Sequence, residues 1–286
     1  MADTLVEVEQ LAAHLGDPLW VTFDCRFDLA APEAGYNAYL AAHIPFAAYA
    51  SLEHHLSGAK TGSNGRHPLP AARDLVRFFR SHGVGNETQV IAYDARDGVY
   101  AARLWWLLRW LGHERVAVLN GGLAAWQAAA LPLDARSVVT ATEGDLAERP
   151  GHARFASLAM IENREREHLA LIDARAANRY RGEIEPIDAV AGHIPGALNR
   201  PYTENLDASG RFLPPGELRL AFAPLIGAVP VENVVHQCGS GVTACHNLLA
   251  MEIAGLHGSM LYPGSWSEWC ADPSRAVATG AMAPRA

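Results

Sequence analysis

Val234-Val235-His236-Gln237-Cys238-Gly239-Ser240-Gly241-Val242-Thr243-Ala244 is an apolar run that ends at a cysteine, crosses two glycines and enters a stretch of helical composition. It reads as a strand, a tight loop and the start of a helix. The Cys238 thiol then stands at the end of the strand, inside a loop whose backbone amides can point inward. The helix opening near Val242 adds the positive end of its dipole. Amides and dipole both favour thiolate, the nucleophilic form of cysteine. A cysteine on an apolar strand is ordinarily an inert core residue. Two glycines within three residues argue otherwise, because a loop built for close backbone approach costs stability. Cys238 is the candidate nucleophile.

The same landmarks occur twice. Val90-Ile91-Ala92-Tyr93-Asp94 with Gly98-Val99-Tyr100-Ala101 parallels Val234 to Cys238 with Gly241-Val242-Thr243-Ala244. Upstream, Trp20-Val21-Thr22-Phe23-Asp24-Cys25-Arg26 and His43-Ile44-Pro45 parallel Leu171-Ile172-Asp173-Ala174-Arg175 and His193-Ile194-Pro195-Gly196-Ala197. Each half closes on a glycine and a tryptophan, Gly121 with Trp126 and Gly264 with Trp269. Repetition in this order means a duplicated fold. The expected domains are 1–137 and 156–286, joined by a linker over 138–155 where Thr, Glu, Gly and Pro show little periodicity. The Ala/Pro-rich tail after Ala271 reads as loosely ordered.

Within each copy, short apolar runs alternate with helical stretches. Val116-Ala117-Val118-Leu119 reads as a strand, and Ala101 to Leu111 as a helix rich in Trp and Leu. The alternation predicts an α/β fold of two tandem domains, each a parallel sheet flanked by helices. Such sheets bind ligands beyond the carboxyl ends of their strands, where Cys238 and Asp94 both fall.

Composition narrows the function. The chain has 286 residues, half of them hydrophobic, and a formal net charge of −8. With no Lys/Arg run to offset phosphate repulsion, a nucleic-acid partner is not expected. No apolar stretch approaches the ~20 residues of a membrane span, so no membrane partner is expected either. Met1 to Gln10 is acidic and lacks the apolar core of a secretory signal. The four cysteines form no CxxC pair and no disulfide framework. A reduced, cytoplasmic setting is expected, where a free catalytic thiol survives.

These landmarks resemble the tandem-domain rhodanese superfamily, most closely its 3-mercaptopyruvate sulfurtransferases. The resemblance covers nearly the whole chain and is most specific at Cys238-Gly239-Ser240-Gly241-Val242-Thr243. Asp173-Ala174-Arg175, Arg179-Tyr180-Arg181-Gly182, Glu185-Pro186 and Gly192-His193-Ile194-Pro195-Gly196-Ala197 support it. It implies a cysteine persulfide enzyme that takes a sulfane sulfur from a small donor and passes it to a cyanide, thiol or thioredoxin-like acceptor. It also implies an inactive first copy, with Asp94 in place of the cysteine. No metal or organic cofactor is implied.

The loop amides from Gly239 to Ala244 are expected to act as a preorganised anion site, with Gly239, Gly241, Val242 and Thr243 lining the donor. Thiosulfate-preferring members carry basic side chains in this loop; here it is uncharged, which suits a monoanionic 2-oxo thiol. Arg179 matches the family's donor-binding arginine, and a guanidinium can grip a carboxylate bidentately. A second family arginine after Glu-Pro is replaced by Ile187. Arg26 and Arg175 recur in both copies and so belong to the fold. The resemblance further implies a Ser-His-carboxylate arrangement of Ser240, His67 and Glu53, moving a proton for the donor. Three readings stay open: 3-mercaptopyruvate sulfurtransferase, thiosulfate sulfurtransferase, and a persulfide carrier serving a partner protein. His236, Cys238, Cys245 and His246 lack zinc-site spacing, and Ala244 stands where a Cys-x5-Arg phosphatase needs arginine.

Overall fold

A computed structural model of the chain describes residues 3–136 and 142–281. They divide into two compact units. The first unit holds strands β1 (Leu5–Val6), β2 (Trp20–Asp24), β3 (Ala48–Tyr49), β4 (Gln89–Tyr93) and β5 (Val116–Leu119), in the order β1-β5-β4-β2-β3. The second holds β6 (Arg154–Phe155), β7 (Ala170–Asp173), β8 (Leu198–Asn199), β9 (Val234–Gln237) and β10 (Met260–Leu261), in the equivalent order β6-β10-β9-β7-β8. Every pairing within the two sheets is parallel.

The central strands β4 and β9 are buried along their whole length, as expected for a parallel sheet covered on both faces. The helix after β4 runs over Val99–Trp110, and Ala101 through Leu108 are all buried. Arg103 is the one polar side chain in that stretch and is buried with the rest, and a helix segment with no polar face sits inside. Its counterpart after β9 spans Thr243–Ile253. Trp126 and Trp269 lie in the cores of their respective units, which is why both copies retain them.

The other repeated landmarks also have structural work in each unit. The Arg26 guanidinium forks onto Asp24 and donates to the Ala42 carbonyl at 2.7 Å. Arg175 repeats this with Asp173 and the Gly192 carbonyl, also at 2.7 Å. His43 and His193 stack on Tyr39 and Tyr180, their Nδ1 atoms bonded to the carbonyls of those tyrosines. Through backbone bonds, His43 pairs with Asp134 and His193 with Ala278.

That last pairing corrects the expectation of a loose tail. Beyond Ala271, the Trp269 indole donates to the Ala276 carbonyl at 2.9 Å and Gly280 N–H donates to the Arg181 carbonyl at 2.9 Å. The described part of the tail, up to residue 281, is pinned by backbone groups, which composition does not reveal. Of the expected linker, residues 138–141 lie outside the described residues. Residues 142–153 follow the first unit, where Leu146 is buried and Arg149 N–H donates to the Leu111 carbonyl. Arg154–Phe155 is an edge strand of the second sheet.

The compact units do not coincide with the halves of the sequence. Ala59–Pro68 belongs to the second unit and Ala208–Phe212 to the first.

His236, on β9, is fully buried, with Nε2 against the Met251 sulfur at 2.9 Å and Nδ1 without a hydrogen-bond partner. Burial pushes its pKa down to about 3. In the unfolded chain an imidazole takes up a proton near pH 6.5. Below that pH the unfolded state binds the extra proton and the folded state does not, so stability falls as the solution is acidified. Between pH 7 and pH 5 this group should cost about 2 kcal/mol. Urea unfolding should show the wild type losing about 2 kcal/mol more than His236→Leu over that range; equal losses in both would contradict it.

Candidate active site

Cys238 follows the last residue of β9 and is buried. The amides of Ser240 and Gly241 donate to its Sγ at 3.4 and 3.1 Å. Gly241 makes this turn with φ +77°, and a Cβ there would collide with the Pro263 carbonyl oxygen. Only glycine serves at that position. Two backbone N–H groups aimed at one sulfur stabilise negative charge on it.

The turn after β10 cradles this loop. Trp266 and Ser267 N–H donate to the carbonyls of Cys238 and Gly239, each at 3.0 Å. The Cys238 N–H in turn donates to Ser265 Oγ at 3.1 Å, while that hydroxyl donates to the Tyr262 carbonyl at 2.9 Å. Ser265 is fully buried and holds φ +53°, the conformation that Gly122 adopts at the equivalent place in the first unit.

The first unit builds the same cradle around a different side chain. Leu123 and Ala124 N–H donate to the carbonyls of Asp94 and Ala95. The amides of Arg96, Gly98, Tyr100 and Ala101 converge on the Asp94 carboxylate at 2.9–3.4 Å. Burial raises the pKa of this carboxyl while the amides oppose the rise. Asp94 fills its own anion site.

His67 and Ser240 come together within the second unit. His67 is buried, and its Nδ1 shares a hydrogen bond with Ser240 Oγ at 2.8 Å. His67 reaches that position on Ala59–Pro68, whose Arg66 N–H donates to Ser267 Oγ at 3.0 Å. Glu53 lies half-buried in the first unit, in the turn over residues 52–55.

Arg179 faces the loop, with Nη1 3.7 Å from the place a Cβ on Gly239 would occupy. Its Nε and Nη2 both bond to Glu185, at 3.3 and 2.6 Å, and Nη2 also reaches Asp188 at 3.1 Å. The bidentate edge expected to hold a donor is therefore occupied by Glu185. Burial acts to raise the Glu185 pKa, but Arg179 and the amides of Asp188 and Ile187 outweigh it and hold it below the usual value. For Asp188 burial prevails over Arg66 and Arg179, and its pKa is raised. Ile187 is exposed. Val242 is buried ahead of the helix that begins at Thr243, itself half-buried. The bonds to Sγ come from Ser240 and Gly241.

The other thiols sit in unreactive places. Burial and the nearby Asp24 and Asp94 push the Cys25 pKa well up. Cys245 donates to the Gly241 carbonyl at 3.3 Å, and burial raises the Cys270 pKa.

The rhodanese-like domain model matches residues 7–129 and 158–272. The chain belongs to the rhodanese-like family. In the tandem arrangement of that family, it is 47% identical over 279 residues to a protein of Pseudomonas aeruginosa named "Probable 3-mercaptopyruvate sulfurtransferase", covering 96% of this chain and 98% of that one. It is 37% identical over 284 residues to the Mycobacterium tuberculosis protein named "Putative thiosulfate sulfurtransferase SseB", covering 96% and 97%. The crystal structure of SseA from Escherichia coli, a 3-mercaptopyruvate sulfurtransferase, superposes with TM-score 0.79 at 32% identity, over 93% of this chain and 99% of that one. Close relatives are thus sulfurtransferases, and the fold is the tandem rhodanese fold. No helix among the described residues is long and apolar enough to cross a membrane.

Sequence reading missed Ser265, although alignment of Gly121-Gly122 with Gly264-Ser265 places a hydroxyl where the first copy has none. Removing it strands the buried Cys238 N–H, at a cost of about 1–3 kcal/mol. Ser265→Ala should lose stability in that range. Ser265→Gly should lose less, because glycine is relaxed at this φ. Denaturant unfolding checks both, and an unchanged Ser265→Ala midpoint would contradict this role.

Proposed function

We propose that the protein is a 3-mercaptopyruvate:acceptor sulfurtransferase working through a Cys238 persulfide. The observation that carries this reading is the His67–Ser240 hydrogen bond set beside a sulfur that two amides hold. Thiolate attack on the donor sulfur breaks the donor's carbon–sulfur bond. The sulfur and its proton stay on Cys238 as a persulfide, and pyruvate leaves as its enolate. Ser240 Oγ delivers a proton to that enolate carbon and is resupplied through His67. An acceptor thiolate or cyanide then takes the outer sulfur and restores the Cys238 thiolate, a ping-pong cycle. The family resemblance assigns the orienting carboxylate to Glu53. Four free cysteines fit a reducing, cytoplasmic setting.

Thiosulfate as donor is the second reading, favoured by Ile187 in place of an arginine and by the name of the Mycobacterium tuberculosis relative. Thiosulfate leaves as sulfite and needs no carbon protonated, so the proton relay separates the two donors. The wild type should release pyruvate from mercaptopyruvate, with kcat/KM above that for thiosulfate, and Cys238→Ala should release none. Ser240→Ala should slow mercaptopyruvate turnover roughly a hundredfold and largely spare thiosulfate. A wild-type preference for thiosulfate would reverse the assignment.

A further inference from the structure

The side chain nearest the open face of Gly239 is Arg66, whose Nη2 lies 2.8 Å from the place a Cβ would occupy. Arg66 precedes His67 on Ala59–Pro68, within the second unit. Its Nη1 is held by Asp188. Its Nε is buried and has no hydrogen-bond partner. In a guanidinium, Nε and Nη2 share one edge, the two-donor fork that matches a carboxylate. On Arg66 that edge is therefore separate from the nitrogen Asp188 uses, and its Nη2 end faces the loop next to Cys238.

Arg179 presents the opposite arrangement. Its fork is filled by Glu185, which leaves Nη1 toward Gly239. Asp188 accepts from Arg66 through Oδ1 and from Arg179 through Oδ2, tying the two guanidiniums together. Ile187 brings no charge. A buried donor without a partner costs stability unless something else engages it, and a substrate carboxylate is the group that fits a fork.

We infer that Arg66 is the principal donor-binding residue: its Nε–Nη2 edge grips the carboxylate of a 2-oxo thiol acid, with Arg179 Nη1 adding a single further contact. Asp188 and Glu185 position the two arginines. The inference deepens the functional reading above and rests on it. It also accounts for an uncharged Cys238 loop, since the cation arrives from Ala59–Pro68.

Steady-state pyruvate release from 3-mercaptopyruvate, with a small thiol acceptor, tests it in the full-length wild type, Arg66→Ala and Arg66→Lys. Lysine keeps a charge for Asp188 and lacks the fork. Both variants should raise the KM for mercaptopyruvate about tenfold or more while kcat stays within about twofold. If Arg66→Ala does not fold, as judged by its thermal transition, Arg66→Lys alone decides. A wild-type KM in Arg66→Lys would mean that Arg66 only pairs with Asp188, and would overturn the inference. Wild-type protein that forms no pyruvate would overturn the functional reading and this inference with it. Active wild type with unchanged variants would overturn the inference alone.

Discussion

The donation of two backbone N–H groups to the Cys238 sulfur is the interaction on which the site is built. It exists because Gly241 bends the chain at a φ that favours glycine, in a place where the Pro263 carbonyl leaves no room for a Cβ. Backbone N–H groups aimed at one atom are donors that stabilise negative charge developing there. The loop is prepared for that charge before any donor arrives. The first unit shows the same construction with the anion built in, as four amides close on Asp94. One duplicated loop thus holds a carboxylate in the first copy and a thiol in the second, distinguished by what the strand delivers at its end.

Three tasks fall to three kinds of group in the second unit. In the proposed cycle, peptide N–H groups hold the sulfur, Ser240 and His67 handle a proton, and guanidiniums beside Gly239 meet the carboxylate. Two of the participating side chains, Arg66 and His67, are consecutive residues of Ala59–Pro68. Asp188 and Glu185 keep the arginines in place and balance their charge. Below them, Asp173 and Arg175 form the pair that recurs as Asp24 and Arg26 in the first unit. Arg175 also stacks on Trp266, 4.9 Å from its ring, linking the repeated framework to the turn that cradles Cys238.

Much of this was legible in the sequence because the relevant constraints are local. An apolar run before a cysteine followed by two glycines specifies strand, loop and helix, and strand β5 has the bounds that its four apolar residues imply. Repetition disclosed two copies because each must keep its Asp–Arg pair, its histidine and its tryptophan. Pairing of His67 with Ser240 followed from family resemblance, since 173 positions separate them and no local pattern joins them. What sequence did not show was decided by tertiary contact. The tail looked loose by composition, yet backbone bonds at Ala276, Ala278 and Gly280 fix it. Arg179 looked ready to fork a donor, but Glu185, six residues on, takes that edge. Arg66 drew no notice because only folding brings it over Gly239.

The most direct test of the account is intact-protein and peptide mass spectrometry after stoichiometric treatment with 3-mercaptopyruvate in the absence of acceptor. The account predicts one added sulfur atom, on the peptide containing Cys238, removed by a later pulse of cyanide. Sulfur appearing instead on Cys25, Cys245 or Cys270, or no added sulfur while pyruvate is released, would contradict it.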